Sequence, residues 1–459
     1  MTNQKAVPLL SKMKEHEGQN PISLHVPGHK NGVLYNEMWQ DILKYDLTEI
    51  SGMDDLHHPE AAIRDAEALL SSAYGAKKSF FLVGGTTSGN LAMILTAVKR
   101  GERVLVTRDA HKSVIHALEL AGARPVFLNT KKDLLTGVSS GVEADAILRA
   151  FHKYPDICAA VLTYPSYYGT TFDLAEAVKV IHEFGALALL DAAHGAHFVA
   201  NAHFPQDALR LGADAVVQSA HKTLPALTMG AFLHINSDSA RLSDIRRYLQ
   251  MVQTSSPSYL VMASLDFARQ FVATYSEDDL KAFLEMRAKW IDFLEEAGYT
   301  VLLPDDSLKL IVRKDGYSGY DIAAHFEANG YYPELSDDKQ VLLILPLIKK
   351  GIRFDPLHTL QALPKPAVPL DTFQFAPPEI TVLSLSYAEM AERNSVFIKL
   401  DQALHAVAAE NVSVYPPGIP GVLRGEKLTE AHIAFLKAIS GKHFHGGERL
   451  KEGEIAVYV

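Results

Sequence analysis

Gln218-Ser219-Ala220-His221-Lys222-Thr223-Leu224 is the stretch that decides the fold. It follows a short apolar run, Ala215-Val216-Val217, and ends against Pro225. Most lysines lie on a solvated helix face, but Lys222 stands at the end of a strand that reads as buried, among small and polar residues. Upstream, the apolar run Ala186-Leu187-Ala188-Leu189-Leu190 enters Asp191, followed by Ala192-Ala193-His194-Gly195. The interval between Asp191 and Lys222 accommodates one strand–helix–strand unit. A carboxylate and an amine at the carboxyl ends of two core strands indicate a cofactor site. Lys222 reads as the Schiff-base lysine of pyridoxal 5′-phosphate (PLP), and Asp191 as the partner of the ring nitrogen.

Working outward, the pattern from residue 80 alternates strand and helix. Strands are expected at Phe80–Val83, Val104–Thr107, Pro125–Leu128, Ala159–Thr163, Leu187–Asp191, Ala215–Gln218 and Ala231–Ile235. Helices are expected at Ser88–Lys99, Lys112–Ala121, Val142–Lys153, Leu174–Phe184 and Asp207–Leu211. Near-continuous apolar strands between amphipathic helices predict an α/β fold, a largely parallel sheet covered on both faces. The sites of such sheets lie at the carboxyl ends of the strands.

Before this region, a short helix in residues 1–20 presents Leu9, Leu10 and Met13 on one face, and a helix covers Pro59–Tyr74. After Ser255-Ser256-Pro257 a long helical stretch is expected from Tyr259 to about Gly298. An α+β pattern follows, with a proline-rich linker at 356–380. The most economical division is 1–280, an N-terminal segment with a large domain, and 281–459, a smaller C-terminal α+β domain.

The chain has 459 residues, 48% apolar and 21% charged, and its 44 basic and 54 acidic side chains give a formal charge of −10. That balance argues against nucleic acid or an anionic membrane as the main partner. The single cysteine, Cys158, lies in an apolar run and reads as a core residue. The N-terminus lacks the apolar core of a signal peptide, and no apolar run approaches a bilayer span, so a cytoplasmic protein is expected. His57-His58 beside Asp54-Asp55 invites a metal reading, but no further ligand at helical spacing accompanies them, and no metal is expected.

Gly84-Gly85-Thr86-Thr87-Ser88-Gly89-Asn90 joins a strand to a helix. Backbone N–H groups at a helix start bind anions, and the hydroxyls of Thr86, Thr87 and Ser88 add donors, which suits a phosphate. The stretch lacks the Gly-Lys-Ser/Thr ending of a nucleotide loop. His111, in Arg108-Asp109-Ala110-His111-Lys112-Ser113, follows a core strand, where it can stack on an aromatic cofactor or cap the next helix. His221, beside Lys222, either touches the phosphate or faces the substrate.

On these residues the chain resembles the PLP-dependent ornithine/lysine/arginine decarboxylases of the aspartate-aminotransferase fold, in their short bacterial form. The likeness is carried by His25-Val26-Pro27-Gly28-His29-Lys30, Asp54-Asp55-Leu56-His57, Gly85-Thr86-Thr87-Ser88, His111-Lys112-Ser113, Asp191-Ala192-Ala193-His194-Gly195, Ser219-Ala220-His221-Lys222, Ser256-Pro257-Ser258-Tyr259 and Pro416-Pro417-Gly418-Ile419-Pro420-Gly421. It implies that Thr87 and Ser88, with Thr86, hold the phosphate and that His111 stacks on the ring. It implies further that Asp191 meets the ring nitrogen, that Lys222 bears the cofactor, and that His194, Ser219 and His221 assist. Where the family continues towards Pro-Gly-Glu, this chain has Arg424-Gly425-Glu426.

The expected reaction is removal of the α-carboxylate of a basic amino acid (arginine, lysine or ornithine) as carbon dioxide, with amine as product. The resemblance also implies a homodimer. Glu334, in Tyr331-Tyr332-Pro333-Glu334-Leu335, is the candidate for the substrate's distal cation. Two rival readings are another PLP enzyme, such as an aminotransferase with Arg353 or Arg424 clamping the α-carboxylate, and a non-catalytic regulator of the same fold.

Overall fold

Leu187–Asp191 and Ala215–Gln218 are strands buried along their whole length, and they lie side by side in parallel with Asp191 opposite Val217. The computed structural model describes residues 2–358, 360, 378–414, 420–441 and 444–459. In chain order the strands used below are β1 (Lys78–Leu82), β2 (Arg103–Thr107), β3 (Arg124–Leu128), β4 (Ile157–Thr163), β5 (Leu187–Asp191), β6 (Ala215–Gln218) and β7 (Ala231–Ile235). They continue with β8 (Thr300–Leu302), β9 (Lys309–Arg313), β10 (Leu335–Ser336), β11 (Val341–Ile344) and β12 (Ile380–Val382). The chain divides into two units, one of Met1–Ala97 with Leu187–Leu280, the other of Val98–Ala186 with Lys281–Val459.

In the first unit the strand order is β1-β7-β6-β5, with β7 antiparallel to both neighbours. The helix Gly85–Ala97 packs on these strands, with Ala92, Met93 and Ile94 buried. Its approach requires Gly89, because a Cβ there would stand 2.7 Å from both Leu82 Cδ1 and Val217 Cγ1. Along β1, Glu67 Oε1 accepts from the Phe81 N–H at 3.2 Å, and Gln253 Oε1 from the Val83 N–H at 2.8 Å. Asp54 is a structural anchor: its buried carboxylate accepts from the backbone N–H groups of Glu60, Ala61 and Ile63 at 2.9, 2.9 and 2.8 Å, holding the start of helix Ala62–Tyr74.

The second unit has β4, β2 and β3 in parallel, with β12 antiparallel on β3. An antiparallel sheet β10-β11-β9-β8 follows. Two small antiparallel sheets lie in the C-terminal region, one of Ser395–Lys399, Glu454–Tyr458 and Val407–Ala408, the other of Pro420–Val422, Val412–Val414 and Phe444–His445. They share a core with Leu428, Leu436 and Ile455.

The long helix expected from Tyr259 is two helices, Tyr259–Ala273 and Glu277–Glu296. Thr274 Oγ1 donates to the Gln270 carbonyl at 2.7 Å, and Ser276 with Asp279 forms a reciprocal cap that starts the second helix. The helix expected at Asp207–Leu211 is a turn, because the buried Asp207 carboxylate accepts from the Leu209 N–H at 2.9 Å and from Gln218 Nε2 at 2.7 Å. Most of the 356–380 linker, and Pro416 to Ile419, lie outside the described residues. No helix among the described residues is long and apolar enough to cross a membrane.

Candidate active site

The ends of β5 and β6 are stitched together beyond the strands themselves. Ala192 N–H donates to the Val217 carbonyl at 2.9 Å, and Ser219 N–H to the Ala193 carbonyl at 3.2 Å. The chain after Ser219 then turns into a single helical turn, Ala220–Thr223, which carries Lys222. Lys222 Nζ lies 2.9 Å from Nε2 of His194, a buried residue three positions beyond Asp191. At that distance the two nitrogens share one hydrogen bond. His221 is turned the other way, its backbone N–H and Nδ1 both donating to the Gly230 carbonyl at 3.1 and 3.0 Å.

Asp191 is buried and held from two sides. Asn90 Nδ2 donates to Asp191 Oδ2 at 2.9 Å, and the Ala193 N–H donates to Oδ1 at 3.2 Å. Asn90 lies in the second turn of helix Gly85–Ala97, whose first turn offers the anion-binding N–H groups. Thr86 is half-buried with its Oγ1 3.2 Å from Ser219 Oγ, which brings the helix start to the turn before Lys222. Thr87 is exposed. Ser88 is buried and its hydroxyl donates back to the Gly85 carbonyl at 2.8 Å, so the group it offers an anion is its backbone N–H.

The first unit thus brings together Thr86, Thr87, Ser88, Asn90, Asp191, His194, Ser219, His221 and Lys222. This set fits PLP by its chemistry: hydroxyl and N–H donors for a phosphate, a buried carboxylate for a pyridinium, and an amine for an aldehyde. Asn90, which the structure places on Asp191, is the residue that sequence reasoning passed over. Its signal was an amide inside an otherwise apolar helical run, Leu91-Ala92-Met93-Ile94.

The remaining candidates belong to the second unit. His111 is exposed and caps helix Lys112–Ala121, its Nδ1 accepting from the Ser113 N–H at 3.2 Å. Glu334 precedes β10 and accepts a short hydrogen bond from the Tyr167 hydroxyl. Tyr167 sits just past the carboxyl end of β4, so Glu334 is at the end of the sheet where sites form. Tyr167 is itself fixed: the buried Lys309 Nζ donates to its carbonyl at 2.9 Å. Arg424 is engaged, donating from Nη1 to Glu119 Oε1 at 2.7 Å and from Nε to the Tyr458 hydroxyl. Arg353 is exposed.

Comparison with known proteins agrees with this chemistry. The profile "Orn/Lys/Arg decarboxylase, major domain" matches residues 7–297, and "Orn/Lys/Arg decarboxylase, C-terminal domain" matches 371–449. The uncharacterized protein YaaO of Bacillus subtilis is 40% identical, the alignment covering 98% of each chain. The arginine decarboxylase of Halalkalibacterium halodurans is 31% identical over 95% of this chain and 94% of its own length. Among solved structures, the constitutive lysine decarboxylase of Escherichia coli shares the fold with a TM-score of 0.78 at 17% identity, covering 99% of this chain and 82% of the other. The paired ends of β5 and β6, the two profiles and the full-length relatives lead to one assignment: the chain belongs to the Orn/Lys/Arg decarboxylase family.

Proposed function

We propose that arginine is the preferred substrate of this PLP-dependent decarboxylase of basic amino acids, and that the residues gathered at the ends of β5 and β6 carry the reaction. The observation that carries the reading is the pair of neighbouring strand ends bearing Asp191, held by Asn90, and Lys222, held on His194. The preference for arginine rests on full-length relatives of that name and on the planar match between guanidinium and carboxylate. The division 1–280 and 281–459 is kept as the functional one, a cofactor-binding part and a smaller part that carries Glu334.

When bound, PLP supplies the electron sink that accepts the bonding pair left as carbon dioxide departs. Asp191, buried and held by Asn90 and the Ala193 N–H, would pair with the ring nitrogen and keep it protonated. Lys222 is the point of covalent attachment, and its contact with His194 gives its proton a place to go. Lys222 or His194 returns a proton to the α-carbon. Thr86, Thr87 and Ser219 offer hydroxyls to the phosphate, Ser88 its backbone N–H, and His221 borders them. On this reading His111 would stack on the ring and Glu334 would take the distal cation, its carboxylate held by the Tyr167 hydroxyl.

The working state is a homodimer. Ile22, Leu24, Val33, Leu34 and Met38 are largely exposed, and helix Glu37–Leu43 buries none of its residues, an apolar surface that a second copy covers. An active monomer in sedimentation would contradict this. The enzyme is assigned to the cytoplasm, where its amine product enters polyamine biosynthesis.

The deciding experiment incubates PLP-loaded protein with arginine, lysine, ornithine and a panel of other amino acids, and identifies the amine and carbon dioxide formed. Agmatine from arginine at the highest kcat/KM is the expected result. Absence of carbon dioxide from every basic amino acid defeats the assignment. A keto product formed with an added 2-oxo acid favours an aminotransferase, although Arg424, one of its candidate clamps, is tied to Glu119.

A further inference from the structure

We propose that the C-terminal segment 420–426 positions His111, with Arg108 and Glu426 as positioning residues that clamp the turn carrying it. The proposal rests on the reading that His111 lies on the cofactor ring. Arg108 follows β2 directly and precedes His111 by three residues. Its guanidinium and the Glu426 carboxylate are 3% and 4% exposed and form a bidentate pair, Nη1 to Oε1 at 2.6 Å and Nη2 to Oε2 at 2.8 Å. Arg108 also donates to the Gly421 carbonyl at 3.1 Å and to Thr381 Oγ1 at 3.2 Å, while Glu426 accepts from the Leu423 N–H at 2.9 Å. Gly421 has no room for a side chain, because a Cβ would come within 2.1 Å of the Phe435 ring.

The same turn is held at other points. Arg108 N–H donates to the Leu128 carbonyl at 2.9 Å, Ala110 N–H to the Thr107 carbonyl at 3.0 Å, and Ser139 Oγ to Asp109 Oδ2 at 2.6 Å. Beyond His111, Arg424 reaches Glu119 on the helix that His111 caps. One ion pair therefore precedes His111 in the chain and another follows it, and both end on residues 424–426. A buried pair gains little over an apolar contact in stability, but the planar fork fixes orientation in a way an apolar contact does not. At the foot of a turn that presents a cofactor-facing ring, orientation is the useful quantity.

The test compares Glu426→Gln, the double variant Arg108→Met/Glu426→Met and His111→Phe with the wild type. Cofactor-free protein is titrated with PLP while the absorption band is followed, and kcat, KM and melting of the cofactor-free protein are measured. The double variant leaves no unpaired buried charge, so it remains informative if Glu426→Gln does not fold. The expected result is PLP binding weakened about tenfold or more, a band displaced as in His111→Phe, and kcat lowered about tenfold with KM within about threefold. Wild-type PLP affinity and band in either folded clamp variant, with His111→Phe altered, overturns the clamp alone. Wild-type affinity and band in His111→Phe overturns the placement of His111, and the clamp with it.

Discussion

Replacing Asn90 by leucine asks whether Asp191 works as a carboxylate held in its charged form. Asn90 is fully buried, and Asp191 takes two hydrogen bonds, the one from Asn90 at 2.9 Å being shorter than that from the Ala193 N–H at 3.2 Å. Leucine branches at Cγ as asparagine does and favours the helix, so the variant removes the donor; because leucine is larger, melting of the variant is measured beside it to separate the cost of packing. A hydrogen bond to a charged group is worth about 1.5–3 kcal/mol. At 1.36 kcal/mol per factor of ten, that predicts a loss of about 10- to 150-fold. The loss divides between a higher Kd for PLP and a lower kcat, because a carboxylate without its donor is aimed less firmly at the ring nitrogen. The assay is PLP titration of the cofactor-free protein followed by steady-state kinetics on arginine, with KM for arginine expected to stay within about threefold. A folded Asn90→Leu protein with wild-type Kd and kcat would refute the reasoning.

Lys222→Ala is expected to bind PLP without covalent attachment and to lose nearly all turnover; borohydride reduction and peptide mapping of the wild type check the site, and a label on any other lysine sinks it. Glu334→Gln should raise KM for the preferred basic substrate by the equivalent of about 1.5–3 kcal/mol with kcat less affected, and unchanged kinetics on arginine, lysine and ornithine remove Glu334 from the site. Burial pushes the Glu67 carboxyl up from 4.5 to about 8, against the pull of Arg246 at 3.7 Å. The folded chain then binds more protons than the unfolded chain across that window, so stability falls as pH rises through it. Glu67→Gln keeps an acceptor for the Phe81 N–H and should flatten the fall by about 1–3 kcal/mol between about pH 5 and pH 8.5 in urea unfolding; parallel pH curves for variant and wild type would contradict it.

What could be read before the structure depended on how locally each feature is encoded. β5 and β6 were legible because each is a short apolar run ending in a residue that does not belong in a core, Asp191 in one case and the approach to Lys222 in the other. The turn between β1 and helix Gly85–Ala97 was legible because glycines and hydroxyls cluster where a strand meets a helix. Asn90 was quoted within that turn without a role, since a buried amide takes its meaning from Asp191, far along the chain. The Arg108–Glu426 pair was harder still, spanning 318 positions, and neither residue interrupts a periodic pattern. The break between Ala273 and Glu277 was present as Ser276-Glu277-Asp278-Asp279, a capping sequence outweighed by the helical periodicity around it. Asp207–Leu211 failed for a related reason: an aspartate expected to start a helix spends its oxygens on Leu209 and Gln218. The role of the Ser88 hydroxyl was not legible either, since it donates to the Gly85 carbonyl within the helix start.

The outer side of β1 bears on how this protein behaves at high concentration. It is the terminal strand in its sheet order, and the N–H groups of Phe81 and Val83 are occupied by Glu67 and Gln253. Free edge strands are templates for runaway pairing between chains. Here two side chains, one from helix Ala62–Tyr74 and one from Gln253, cap alternate positions, so a foreign strand has to displace both before it can add to the ladder. Growth by sheet extension is thereby blocked at this margin.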